Sequence, residues 1–156
     1  INDRNPLWLN HGGASTIDSY QEISEEQKSG HISFLETLHN YHIDSQNRLF
    51  VHAGFTNQAG PKHEFYPHFV YWDRTLWETA CSLDPSLSTK SNRYPKRFLQ
   101  FNEIYIGHTP TTKIGETAPT CYANVWNIDT GAAFKGCISV LDISTKEFWQ
   151  SDPVYT

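Results

Sequence analysis

"LFVHAGF", residues 49–55, decides how the chain is read. Leu49, Phe50 and Val51 form an uninterrupted apolar run of β-branched and aromatic character, the composition of a buried strand. Ala53 and Gly54 are small, and glycine takes backbone angles closed to other residues. His52 is therefore expected at the carboxyl end of a strand, where the chain turns and another group can approach closely. A histidine there serves either as a ligand or as a strand cap.

The same logic recurs further along the chain. In "NEIYIGHTPT", residues 102–111, Ile104, Tyr105 and Ile106 read as a short strand, Gly107 turns the chain, and His108 follows. In "VWNIDTGAA", residues 125–133, an apolar run ends at Asp129 and Gly131. Three strand ends thus deliver His52, His108 and Asp129, each within two residues of a glycine. Polar groups gathered at the carboxyl ends of strands are where α/β folds place their chemistry. Imidazole nitrogen with carboxylate oxygen suits Mn, Fe or Zn better than Mg or Ca. From the pattern alone, a metal site and satisfied structural histidines both remain open.

Around these strands the reading is coarser. Residues 1–15 are loop-like, with Pro6, Gly12 and Gly13, and Ser15 or Thr16 is a candidate cap for a short helix. "SGHISFLETLHNYH", residues 29–42, spaces Ile32, Leu35, Leu38 and His39 for one helical face, with Ser29 as its cap. "PHFVYWDRTLWETACSL", residues 67–83, gives a second helix with Phe69, Trp72, Leu76 and Trp77 on one side. Residues 84–95 are a Ser-rich loop, and "CISVLDISTKEFWQSD", residues 137–152, is a hairpin turning at Ser144, Thr145 and Lys146. With no linker, repeat or low-complexity segment, residues 1–156 are expected to form one unit.

Composition narrows the function. At 156 residues the chain can bury a substantial core. Twelve basic against seventeen acidic residues give a net charge of −5, and no basic block argues for nucleic acid. No apolar run has the length of a membrane span, and no signal-peptide pattern opens the chain. Cys81, Cys121 and Cys137 are odd in number and form no Cys-x-x-Cys, so reduced thiols in a cytoplasmic setting are expected.

"LFVHAGF", "IYIGHTPT" and "NIDTGAAFKG", in this order, resemble the later motifs of the metallophosphoesterase superfamily. They look most like its bacterial and phage-type serine/threonine phosphoprotein phosphatases. "WLNHGGASTIDSY" is similar to the W-L-x-N-G-G segment of that branch, and "YWDR" to its W-x-R segment, so the likeness runs from Trp8 to about Phe148. The ordered set is specific, whereas any one motif would be weak.

The resemblance implies an α/β (α+β) fold, half of a four-layer α/β/β/α sandwich: a mixed sheet, flanking helices and a carboxyl-terminal β-hairpin. It implies phosphomonoester hydrolysis by a water activated between two divalent metals, Mn first, with Fe or Zn as alternatives. Such ions stand about 3.5–4 Å apart. His52 and His108 look like ligands to one metal, and Arg74 of "WDR" like the guanidinium that holds phosphate oxygens. Arg74 is alternatively a helix-face charge paired with Glu78. Asp129 would orient a ligand histidine or brace its own turn. Asn10 and His11 would lie in a loop at the site's edge, with His11 standing where the family has Asn. His31, His39, His42, His63 and His68 are expected to be structural or surface residues, and Trp72, Trp77, Trp126 and Trp149 core.

The family's earlier motifs, G-D-x-H-G, G-D-x-x-D-R-G and G-N-H-D/E, do not occur in this sequence. Asp3-Arg4 and Asn10-His11 lack their surrounding glycines. With Ile1 preceded by no Met, the expectation is the carboxyl-terminal half of a longer phosphatase, inactive alone. Its partners would be a phosphorylated protein or peptide and, over an exposed sheet face, the missing half or a second copy. A symmetrical dinucleoside polyphosphate hydrolase shares the late motifs, and a non-catalytic interaction domain is the alternative from another class.

Overall fold

The computed structural model describes residues 5–154; Asp3 and Arg4 lie outside these. The chain divides into two units, Ile1–His39 and Asn40–Thr156. The first is helical. α1 (Pro6–Trp8) starts on Asn5, whose side chain accepts the Leu7 N–H, and runs through a wide turn, Leu9–Gly13, into α2 (Ala14–Ser19). The glycine pair is explained at this turn. Gly12 sits at φ +101°, and a Cβ on Gly13 would stand 2.4 Å from the Trp8 ring. Only glycine fits in either place.

α3 (Glu25–Glu36) begins before the expected Ser29 and ends before Leu38 and His39, while Tyr41 and His42, expected in the helix, are extended instead. Ser24 is the cap: its hydroxyl accepts the Gln27 N–H, and the Gln27 side chain accepts the Ser24 N–H. This reciprocal pair, with Glu25 and Glu26 in the first turn, fixes the start by local hydrogen bonds. The apolar residues of the helix are exposed.

The second unit holds a five-stranded mixed sheet. Its strands are β1 (Tyr41–Ile43), β2 (Arg48–Val51), β3 (Glu103–Ile106), β4 (Thr120–Tyr122) and β5 (Val125–Asn127), in the order β1-β2-β3-β5-β4. β2, β3 and β5 are parallel, with Leu49 opposite Ile104 and Ile104 opposite Val125. Leu49, Val51, Ile104, Ile106 and Val125 pack with Phe55, Val70, Leu76, Trp77 and Phe98 into one core. Period-two alternation sends Phe50, Tyr105 and Trp126 to the other face, where Phe50 and Tyr105 stack at 4.9 Å.

β6 (Ser139–Leu141) and β7 (Phe148–Gln150) form the expected hairpin. Lys146 anchors its turn to the sheet by an ion pair with Glu103 at 2.6 Å and by lying over the Tyr105 and Trp126 rings.

The single helix expected across residues 67–83 is broken. A 3₁₀ turn (Pro67–Tyr71) precedes α4 (Thr75–Ser82). Asp73 makes the break: its buried carboxylate accepts the Thr75 and Leu76 N–H groups and so caps α4. Leu76 and Trp77 are buried as expected, whereas Trp72 is 62% exposed and Trp149 57% exposed, not core. Among the described residues no helix is long and apolar enough to cross a membrane.

A candidate metal centre at the strand ends

Three adjacent parallel strands bring their carboxyl ends to one edge of the sheet, which places His52, His108 and Asp129 side by side. The loops beyond are fixed by backbone pairing. Gly107 N–H donates to the His52 carbonyl at 2.8 Å, and Thr111 N–H to the Asp129 carbonyl at 2.8 Å. Asn127, fully buried, donates to the Thr109 carbonyl at 2.7 Å and accepts the Asp129 N–H at 3.1 Å, tying two of the loops together. Sequence reasoning passed over Asn127; its signal is a lone amide ending an apolar run, since a buried amide must find partners.

His108 sits at φ +68°, in a three-residue turn closed by the Thr109 N–H on the Gly107 carbonyl at 2.7 Å. Such turns are rare and strained for a residue with a side chain. The turn aims the ring at its neighbour: His52 Nε2 and His108 Nδ1 are 3.1 Å apart. His52 is exposed and His108 half-buried, and the His108 Nε2 is buried with no hydrogen-bond partner. Burial holds the His108 imidazole below its ordinary pKa; the charges of His52, Arg74 and Lys113 push the same way and Asp129 opposes them. The neutral ring that results near pH 7 is the form that binds metals.

The loop after His52 lies hard against α4. Ala53 N–H donates to the Val70 carbonyl at 2.9 Å, and a Cβ on Gly54 would meet Asp73 Oδ2 at 2.6 Å. The capping carboxylate therefore sits where only glycine leaves room. One residue on, Arg74 is exposed and joins none of the ion pairs among the described residues, Glu78 included. Asp129 Oδ1 accepts the Gly131 N–H at 3.0 Å, bracing its own turn, and is hydrogen-bonded to neither histidine. Asn10 and His11 are exposed in the other unit, His11 with non-helical angles.

Trp72, expected in the core, stands at the site instead. Its indole meets the His108 ring edge-to-face at 5.7 Å. The remaining histidines are elsewhere: His31 pairs with the Tyr20 hydroxyl at 2.8 Å, His42 abuts Phe50, and His39, His63 and His68 are exposed. Cys81, Cys121 and Cys137 are free and half-buried.

Two nitrogens bound to one ion at about 2.0–2.1 Å each stand about 2.8–3.4 Å apart at octahedral to tetrahedral angles. The 3.1 Å imidazole pair fits that spacing, as it fits a hydrogen bond. Among the described residues no group of three or more His, Cys, Asp or Glu is arranged to hold a metal ion. No family model and no curated protein matches this chain.

Proposed function

We propose that this chain serves metal-dependent phosphomonoester hydrolysis of the serine/threonine phosphoprotein phosphatase kind. His52 and His108 are ligands to one ion of a two-metal centre, and Arg74 is the guanidinium that grips phosphate oxygens. The observation that carries this reading is the 3.1 Å approach of two ring nitrogens from separate strand ends, one of them held there by a strained turn. Mn, or alternatively Fe or Zn, would supply Lewis acidity and a water of lowered pKa. Arg74, exposed and in none of the ion pairs among the described residues, offers a planar fork of donors that neutralises the charge of the phosphoryl oxygens. Asp129 adds negative charge beside His108 while its own carboxylate keeps the loop in place.

Two histidines are fewer ligands than such an ion takes. The remaining ligands come from outside this chain, which alone binds metal weakly and does not turn over. A four-layer sandwich belongs to the same reading, its further layers supplied by a second sheet or a second copy. The substrate is a phosphorylated protein or peptide, and the three free thiols agree with a reducing cytoplasm.

Manganese titration followed by electron paramagnetic resonance tests this. Wild-type chain takes up Mn(II) at millimolar concentration, and His52→Ala and His108→Ala each lose it. Equal uptake by all three would refute the ligand assignment. One observation favours a second reading, a domain that keeps the fold without the chemistry: the two imidazoles already satisfy one another at 3.1 Å. That reading expects no specific uptake, and a fall in stability when either histidine is replaced.

A further inference from the structure

Trp72 is 62% exposed, unusual for an indole, and yet it is not loosely held. Its backbone N–H donates to the Phe69 carbonyl at 3.0 Å. The next residue, Asp73, donates to the same carbonyl at 2.9 Å and caps α4 with its carboxylate. The turn that carries it is bonded to the His52 strand end through the Val70 carbonyl and the Ala53 N–H. The indole thus has a fixed backbone, stands edge-to-face with His108 at 5.7 Å, and lies two residues before Arg74. Phe69, at 41%, and Tyr66, at 59%, extend exposed aromatic surface along the preceding turn. A ligand whose phosphoryl group reached Arg74 and the histidine pair would present its ester group to this surface.

We infer that Trp72 is a specificity-determining residue: its indole receives the ester group of a phosphomonoester and favours an aromatic one over a small alkyl one. This rests on the phosphomonoester hydrolysis and the phosphate site proposed above, and moves the favoured ester from the alkyl esters of phosphoserine and phosphothreonine to aryl monoesters, phosphotyrosine included. The contact is stacking of a planar ring on an indole whose backbone is fixed and whose edge-to-face partner is His108. An alkyl ester of the same charge makes the phosphoryl contacts and leaves the indole bare.

Calorimetric titration with inorganic phosphate, methyl phosphate and phenyl phosphate, at millimolar Mn(II), tests the inference on the chain as it stands. Phenyl phosphate should bind wild-type chain about three- to ten-fold more tightly than methyl phosphate, the range expected of one aromatic pair. Trp72→Ala should bring that ratio to about one, and Trp72→Phe should keep much of it. A ratio near one in the wild-type chain, or one that survives Trp72→Ala, overturns the platform while leaving the phosphate site intact. Equal weakening of all three ligands in Trp72→Ala also overturns it, because the indole would then only be bracing His108. No binding of inorganic phosphate by the wild-type chain overturns the phosphoester reading itself, and the platform with it.

Discussion

α3 and α4 are held by different means, although both carry apolar residues at helical spacing. α3, twelve residues long, has a complete capping box, two glutamates in its first turn and a Lys28–Glu25 ion pair at 2.6 Å. None of its residues is buried, and Ile32, Phe34 and Leu35 are 45%, 63% and 58% exposed. α4, eight residues long, buries Leu76, Trp77 and Ala80. It is bound at its start by Asp73 and along its side by Arg97, whose buried guanidinium donates to the Thr75 carbonyl at 2.7 Å and the Phe55 carbonyl at 2.9 Å. The longer helix rests on local bonds, the Tyr20–His31 pair included, and the shorter one on what it is buried against. Isolated helices of about 12–15 residues or fewer are marginal in water, so tertiary burial is the stronger of the two supports.

Substitutions can break this contrast, beginning with the largest effect. Trp77→Ala should lower the unfolding free energy in urea by about 3–5 kcal/mol, since it removes a buried indole and leaves a cavity. Gly54→Ala drives a Cβ into Asp73 Oδ2 and should cost about 1–3 kcal/mol in the same experiment. Asp73→Ala leaves the start of α4 uncapped and should cost about 1–2 kcal/mol. On α3, Ser24→Ala should cost about 0.5–1 kcal/mol, read as faster amide exchange in its first turn. Leu35→Ala should stay within about 0.5 kcal/mol of wild type. A loss of several kcal/mol at Leu35 would mean that α3 is buried against a partner in solution, and the contrast would collapse.

Thiols sharpen the comparison further. Burial raises the pKa of Cys81, on α4, above its ordinary value, and that of Cys121, on β4, from 9.0 to about 11. A thiol whose folded pKa is raised adds stability that is complete below its unfolded value and is lost as pH rises through the folded one. For Cys121 that window runs from pH 9.0 to about 11. Unfolding midpoints of wild type and Cys121→Ser should therefore converge across this range. Iodoacetamide at pH 8 should label Cys121 slowly until the sheet is unfolded, because little thiolate is present. Fast labelling of native protein would mean that β4 opens locally.

The three parallel strands and their ends could be read from the sequence because each signal was local, whereas β1 begins inside the stretch expected to be helical and β4 was not named. An apolar run followed by glycine and a polar residue describes β2, β3 and the two histidines after them, and parallel pairing does the rest. Trp72 could not be read that way. A single helical period laid across residues 67–83 puts Phe69, Trp72 and Leu76 on one face, but the Asp73 carboxylate ends that period by capping α4, and the indole falls outside the core. The start of α3 was missed for a related reason. Its Ser24-x-x-Gln27 box lies ahead of the apolar stripe that announced the helix. Asn127 went unnoticed because its value lies in two partners, one of them 18 positions earlier in the chain.

The two imidazoles that meet at 3.1 Å are 56 positions apart in the chain. Their meeting requires β2 to find β3 in parallel register, a pairing with no short hairpin to nucleate it and a long loop to close first. Contact between the rings is thus a clock for folding: it exists only after the slow, non-local step is complete. Before then a divalent ion meets two isolated histidines and gains nothing from holding both, so metal added early has no preformed pair to guide the chain.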